Sequence, residues 1–191
     1  MMKKETVLAL VVVLVVGVLI GVIVSNMRQE TSTAVTTGNP AAAPPVDFQQ
    51  KIVMLERIVS QEPDNLNAWV QLGHNYFDSD QPAKAVTAYD KALALGGDDP
   101  NLLTDQGVMY RRLGQFDKAI ANFEAANRLN PRHHQSLYNL GIVFLYDKKD
   151  PARGLEVWKK YLMIAPPGPG TAQVQAEVQA LEAMHSQGKI Q

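Results

Sequence analysis

The spacing of apolar side chains divides the chain into three stretches of different character. From Val7 to Val24 every residue is apolar, VLALVVVLVVGVLIGVIV. With Thr6 and Ser25 added, a helix rising about 1.5 Å per residue reaches roughly 30 Å, the thickness of a bilayer's hydrocarbon core. The pattern predicts a single transmembrane helix within residues 1–25. A cleaved secretory signal has a shorter apolar core and a small-x-small site, whereas Ser25-Asn26-Met27-Arg28 follows here, so the span reads as an uncleaved anchor. Residues 26–47 carry Ser, Thr, Ala and Pro with almost no large apolar residue. They predict a disordered linker, because too little surface can be buried to offset ordering entropy. From Phe48 onward apolar residues recur three and four apart, the period of amphipathic helices.

Within that third stretch the pattern repeats. Trp69-Val-Gln-Leu-Gly73-His-Asn-Tyr76 returns as Leu103-Thr-Asp-Gln-Gly107-Val-Met-Tyr110 and again as Leu137-Tyr-Asn-Leu-Gly141-Ile-Val-Phe144, with the three glycines evenly spaced. Ala85 and Ala119 keep the same step, as do Tyr89 and Phe123. A fixed period of roughly 20–50 residues marks stacked supersecondary units. A helix-interior glycine costs about 1 kcal/mol relative to Ala, so three in register predict a close helix crossing. Gly73, Gly107 and Gly141 on one helix, with Ala85, Ala119 and Gly154 on the next, would clear that crossing for large neighbours such as Trp69, Tyr76, Tyr110 and Phe144.

The motif W-x-x-L-G-x-x-Y followed by A-x-x-x-Y resembles the tetratricopeptide repeat. The resemblance implies an all-α fold, an α-α superhelix of antiparallel helix pairs with a concave inner face, here preceded by the single transmembrane helix. The repeat domain is expected over 48–187. It comprises a partial unit at 48–65, repeats at 66–99, 100–133 and 134–168, and a capping helix at 171–187. Terminal units of a solenoid need such covers. In the third repeat one extra residue is assigned to Asp147-Lys-Lys-Asp150, and Tyr161 stands where the earlier units have Ala, predicting a looser last pair.

The resemblance also implies a partner-binding groove lined by first-helix positions: Asn67, Val70, His74, Phe77 and Asp78; Asn101, Thr104, Val108, Arg111 and Arg112; Gln135, Tyr138, Ile142, Leu145 and Tyr146. Aromatics there would bury area and the paired arginines would fix an acidic group of a protein or peptide client. Repeats that clamp a chaperone's carboxylates carry Lys, Arg and Asn where this chain has Val70, His74, Val108, Gln135 and Asn139, so that clamp is absent.

Charge sets the orientation and removes other functions. Lys3, Lys4 and the amino terminus precede the span. The tail should therefore stay cytoplasmic and the repeats should lie in the periplasm, anchored in the inner membrane through residues 6–25. Gly17 and Gly21 form G-x-x-x-G, a face on which a second copy could pack as a homodimer. Beyond Glu30 acidic residues slightly outnumber basic ones, without the basic excess that drives nucleic-acid binding. The chain has no cysteine, which excludes disulfides, thiolate metal sites and covalent haem attachment. His133 and His134 point about 100° apart on a helix, His74 and His185 stand alone, and no catalytic or metal-binding spacing is present. The expectation is a non-enzymatic, cofactor-free module that holds a client. A self-associating scaffold is the competing expectation, and the layout is also similar to the repeat components of bacterial cytochrome c maturation.

Overall fold

The computed structural model describes residues 47–187. The predicted span at 6–25, its Gly17 and Gly21, and the linker up to Val46 lie outside the described residues. Among the described residues no helix is long and apolar enough to cross a membrane.

Along the described chain run α1 Phe48–Gln61, α2 Leu66–Asp78, α3 Pro82–Ala94, α4 Pro100–Arg112, α5 Phe116–Leu129, α6 His134–Ile142, α7 Pro151–Ile164 and α8 Pro169–Ser186. A π-helical turn, Val143–Asp147, extends α6. No strand occurs among the described residues. Starts are set by local chemistry. The Asn65, Asp99 and Asp150 side chains accept from the backbone N–H of Ala68, Asn101 and Arg153, meeting donors the helix leaves open. Pro82, Pro100 and Pro151 sit in first turns, where a missing N–H costs nothing.

Each helix packs on its neighbours in the chain, giving the pairs α2/α3, α4/α5 and α6/α7. The first helices also touch across units, α2 with α4 and α4 with α6, while the second helices α3, α5 and α7 approach one another less closely. The stack therefore closes on its first-helix side and fans open on the other. One cluster runs from Ile52 to Met109, a second from Ala119 to Val178, and Val108 and Tyr110 pack against both.

The glycines allow the close crossing, but the side chain that fills it comes from the second helix. A Cβ on Gly107 would lie 2.5 Å from Cε1 of Phe123, and one on Gly73 or Gly141 would meet the ring of Tyr89 or Trp158 at under 3.0 Å. Trp69 and Tyr76 do not fill this seam. Trp69 donates its indole N–H to the Pro63 carbonyl at 2.8 Å, and Tyr76 donates to Glu56 at 2.5 Å. The reason is the direction of the Cα–Cβ bond, which sends residues three or four from the glycine to the flanks of its helix face.

The third repeat departs from expectation in two ways. Its extra residue is absorbed in the last turn of α6 as the π turn, where the Lys148 N–H reaches the Val143 carbonyl at 2.9 Å. This leaves Lys149 in the left-handed turn that Asp80 and Gly114 occupy in the earlier units, with φ of 55°, 55° and 71°, and Asp150 free to cap α7. The last pair is not loose: Tyr161 is buried, with its ring 5.6 Å from that of Tyr138.

Candidate partner-binding face

The first-helix face carries the predicted groove residues, and the structure sorts them into three groups. Asn67, His74, Asn101 and Gln135 are exposed, with Val70, Phe77 and Val108 partly buried beside them. Tyr138, Ile142 and Leu145 instead pack against the cluster that includes Val174 and Val178 of α8, so the capping helix covers much of the third unit's strip. Tyr146 donates its hydroxyl to Glu177 of the same helix. Thr104 is buried and donates to the Pro100 carbonyl at 2.7 Å, which removes it from any surface.

The paired arginines are not free to hold a client's acid. Arg111 donates from Nε and Nη2 to the two carboxylate oxygens of Asp147, at 2.5 and 3.3 Å. Arg112 donates to Asp80 at 2.9 Å and lies over the Phe77 ring. One arginine thus ties the second unit to the third and the other ties it to the first. Both partners lie in a neighbouring repeat, beyond any local pattern.

Histidines sit at both junctions of the second unit. His74 on α2 faces Asp105 on α4, Nε2 to Oδ2 3.4 Å, and the hydrogen bond to Asp105 raises its pKa against the opposing cost of burial. His133 is buried ahead of α6. Its Nδ1 accepts from the Ser136 N–H at 3.3 Å. Its Nε2 lies 3.1 Å from Oδ1 of Asn101. Together these contacts fit a neutral ring protonated at Nε2. Burial, then the charge of His134, lowers its pKa.

The opposite side of the stack holds features that the periodicity did not reveal. A hollow of about 410 Å³ opens between α1 and α3 over Trp69, Leu72 and Tyr76. A second, of about 330 Å³, opens between α5 and α7 over Leu137, Leu140 and Phe144, the same repeat positions two units later. In the unit between them Gln106 replaces the leucine. It is buried and donates to Asp90 at 2.7 Å, while Asn122 donates to its side-chain oxygen at 2.7 Å. A satisfied amide network of this kind offsets the desolvation of its members. Among the described residues no cluster of His, Cys, Asp and Glu could hold a metal ion.

Comparisons with known proteins agree with this architecture. A family model described as tetratricopeptide repeat matches residues 70–126 and, overlapping, 104–169. The cytochrome c-type biogenesis protein CycH of Pseudomonas aeruginosa is 26% identical over 165 residues, covering 83% of this chain and 40% of that protein. The general transcriptional corepressor trfA of Dictyostelium discoideum is 37% identical over 83 residues, 42% of this chain and 6% of its own length. The chain therefore spans less than half the length of either relative. Among solved structures, MamA superposes with a TM-score of 0.67 at 20% identity, over 75% of this chain and 80% of that one, a likeness of fold. The repeated glycine–aromatic crossings, the helix pairs and the family match together place this chain in the tetratricopeptide repeat family.

Proposed function

We propose that the chain is a non-catalytic binding module that holds a polypeptide partner along its first-helix face. The observation that carries this reading is the contact of α2 with α4 and α4 with α6. Those contacts support a strip in which Asn67, Val70, His74, Phe77, Asn101 and Val108, part apolar and part polar and several of them exposed, would line α2 and α4 together. Such a strip suits a helix or an extended peptide, whose apolar side chains bury area while polar ones set register. In the same reading residues 6–25 anchor the protein in the inner membrane and the repeats work on the periplasmic side. Tethering then raises the local concentration of the client without adding contacts.

Asn67→Arg with Gln135→Arg tests this. Both residues are exposed, so the fold should survive, and the bulk and charge should weaken recovery of the partner from solubilised membranes. An unchanged partner at unchanged yield would overturn the assignment of the face. A shift in self-association with no partner lost would favour the scaffold alternative, with or without pairing through Gly17 and Gly21.

The long match to CycH supports a second, narrower reading: service in cytochrome c biogenesis, with an apocytochrome segment as client. That match covers 83% of this chain, more than the described helices occupy. Loss of covalently haem-bearing cytochromes on deletion of the gene, restored by the full chain, is the expected result. Normal cytochrome content would exclude it.

A further inference from the structure

If the first-helix face is the client's site, as proposed above, the charges on it define the client's chemistry. With Arg111 and Arg112 engaged by Asp147 and Asp80, carboxylates dominate what remains between the first two repeats. Asp78 is exposed and has no ion-pair partner among the described residues. Asp105, whose side chain is 36% exposed, has the His74 imidazole as its one ion-pair partner among the described residues. Behind them Tyr89 is fully buried and its hydroxyl has no hydrogen-bond partner among the described residues. Its ring meets that of His74 edge-on, with centroids 5.8 Å apart. Burial first, then the nearby Asp105 and Asp78, push its phenol above the ordinary value. A buried hydroxyl without a partner is uncommon and costly. Here Asp105 and Asp78 are near enough for their charge to act on it, and it can accept as well as donate.

We propose that this notch, formed by Asp78 and Asp105 around His74 with the Tyr89 hydroxyl behind, receives a lysine or arginine side chain of the bound polypeptide. An ammonium or guanidinium carries donors only, and the notch offers two carboxylates as acceptors, with the buried phenol oxygen behind them. The client is then a basic and apolar segment, the reverse of the acidic partner that the doubled arginine suggests.

His74 competes with the client for Asp105. The charged and titratable groups facing it are Asp78 on α2, Tyr89 on α3, and Asp99 and Asp105 at the start of and within α4. Deprotonation of His74 leaves Asp105 without a positive partner, so binding of a cation should strengthen as pH rises and lose this dependence in His74→Gln.

The test uses the full-length chain in a non-ionic detergent and two fluorescent peptides of four Ala-Lys-Leu or four Ala-Glu-Leu units. Anisotropy gives the affinities and hydrogen exchange gives the footprint. The Lys peptide should bind more tightly, protect amides of α2 and α4, and weaken by about tenfold in the double variant Asp78→Asn, Asp105→Asn, two partly exposed pairs being lost. The single change Asp78→Asn, on an exposed side chain, guards against a folding defect. Equal or tighter binding of the Glu peptide with the same footprint would overturn the charge assignment while leaving the face as the client site. Binding of neither peptide, or protection confined to α1, α3, α5 or α7, would overturn both.

Discussion

Substituting Gly107 by alanine sets two known effects against each other. In an exposed helix the change stabilises by about 1 kcal/mol, because glycine has the greater backbone entropy to lose. At this crossing the new Cβ would stand 2.5 Å from Cε1 and 2.9 Å from Cδ1 of Phe123. Phe123 is 0% exposed, with no solvent to swing into, so the helices must part or the ring must leave its rotamer. Overpacking of that kind costs about 1–3 kcal/mol, and a ring locked on all sides belongs at the upper end. The net expectation is a loss of about 2 kcal/mol, or a fall in melting temperature of roughly 4–8 °C for a unit of this size. Circular dichroism melts of the wild type, Gly107→Ala, Phe123→Leu and the double variant would measure it. The double variant should be more stable than the two single losses predict, by about 1 kcal/mol, because trimming the ring makes room for the methyl. A Gly107→Ala protein that melts at or above wild type would refute the reasoning, since propensity would then have won.

The same geometry bears on five other substitutions. Tyr161→Ala, which restores the small residue of the earlier units, empties a buried aromatic site and should cost roughly 3 kcal/mol in a denaturant titration. Arg111→Gln should lower stability by about 1 kcal/mol, because the half-buried Asp147 loses its partner. Arg112→Gln should leave the same titration unchanged within error, because its partner Asp80 is exposed and stays hydrated. The two junction histidines should act on pH with opposite sign, readable from denaturation midpoints. The folded pKa of His133 is lowered, so its contribution is present above the ordinary value of about 6.5 and lost as pH falls through the folded value. That of His74 is raised, so its contribution is full below about 6.5 and lost as pH rises through the folded value. His133→Asn should lessen the acid loss and His74→Gln the loss on the other side.

The helical, repeated character of the chain was legible because it is written locally. Glycine in register in every unit, proline in first turns and Asp or Asn at N-caps each act on residues a few positions away. Interactions between helices and between units are not written that way. The ring over each glycine comes from the following helix, and the arginine partners from neighbouring repeats. Sequence pattern alone therefore assigned Trp69 and Tyr76 to the seam and left Arg111 and Arg112 unpaired. Nothing in the pattern marks Gln106 and Asn122, which the fold places with Asp90 in one network. The inserted residue of the third unit was visible as a count, but not its place: a π turn relocates it by several positions while keeping Lys149 and Asp150 in register. Thr104 occupies a groove position by count and a buried one by packing, because its hydroxyl is satisfied by its own helix.

Function as proposed requires a polypeptide partner lying along α2 and α4. Site-specific photo-crosslinking in intact cells tests this most directly, with the reactive residue placed at Asn67 or Asn101 on that face, and at Thr87 or Ala121 on the second helices, all four being exposed. A discrete adduct from Asn67 and Asn101, and none from Thr87 or Ala121, is the predicted result. Adducts from the second-helix positions alone would contradict it and move the site to the hollows over Trp69 and Leu137.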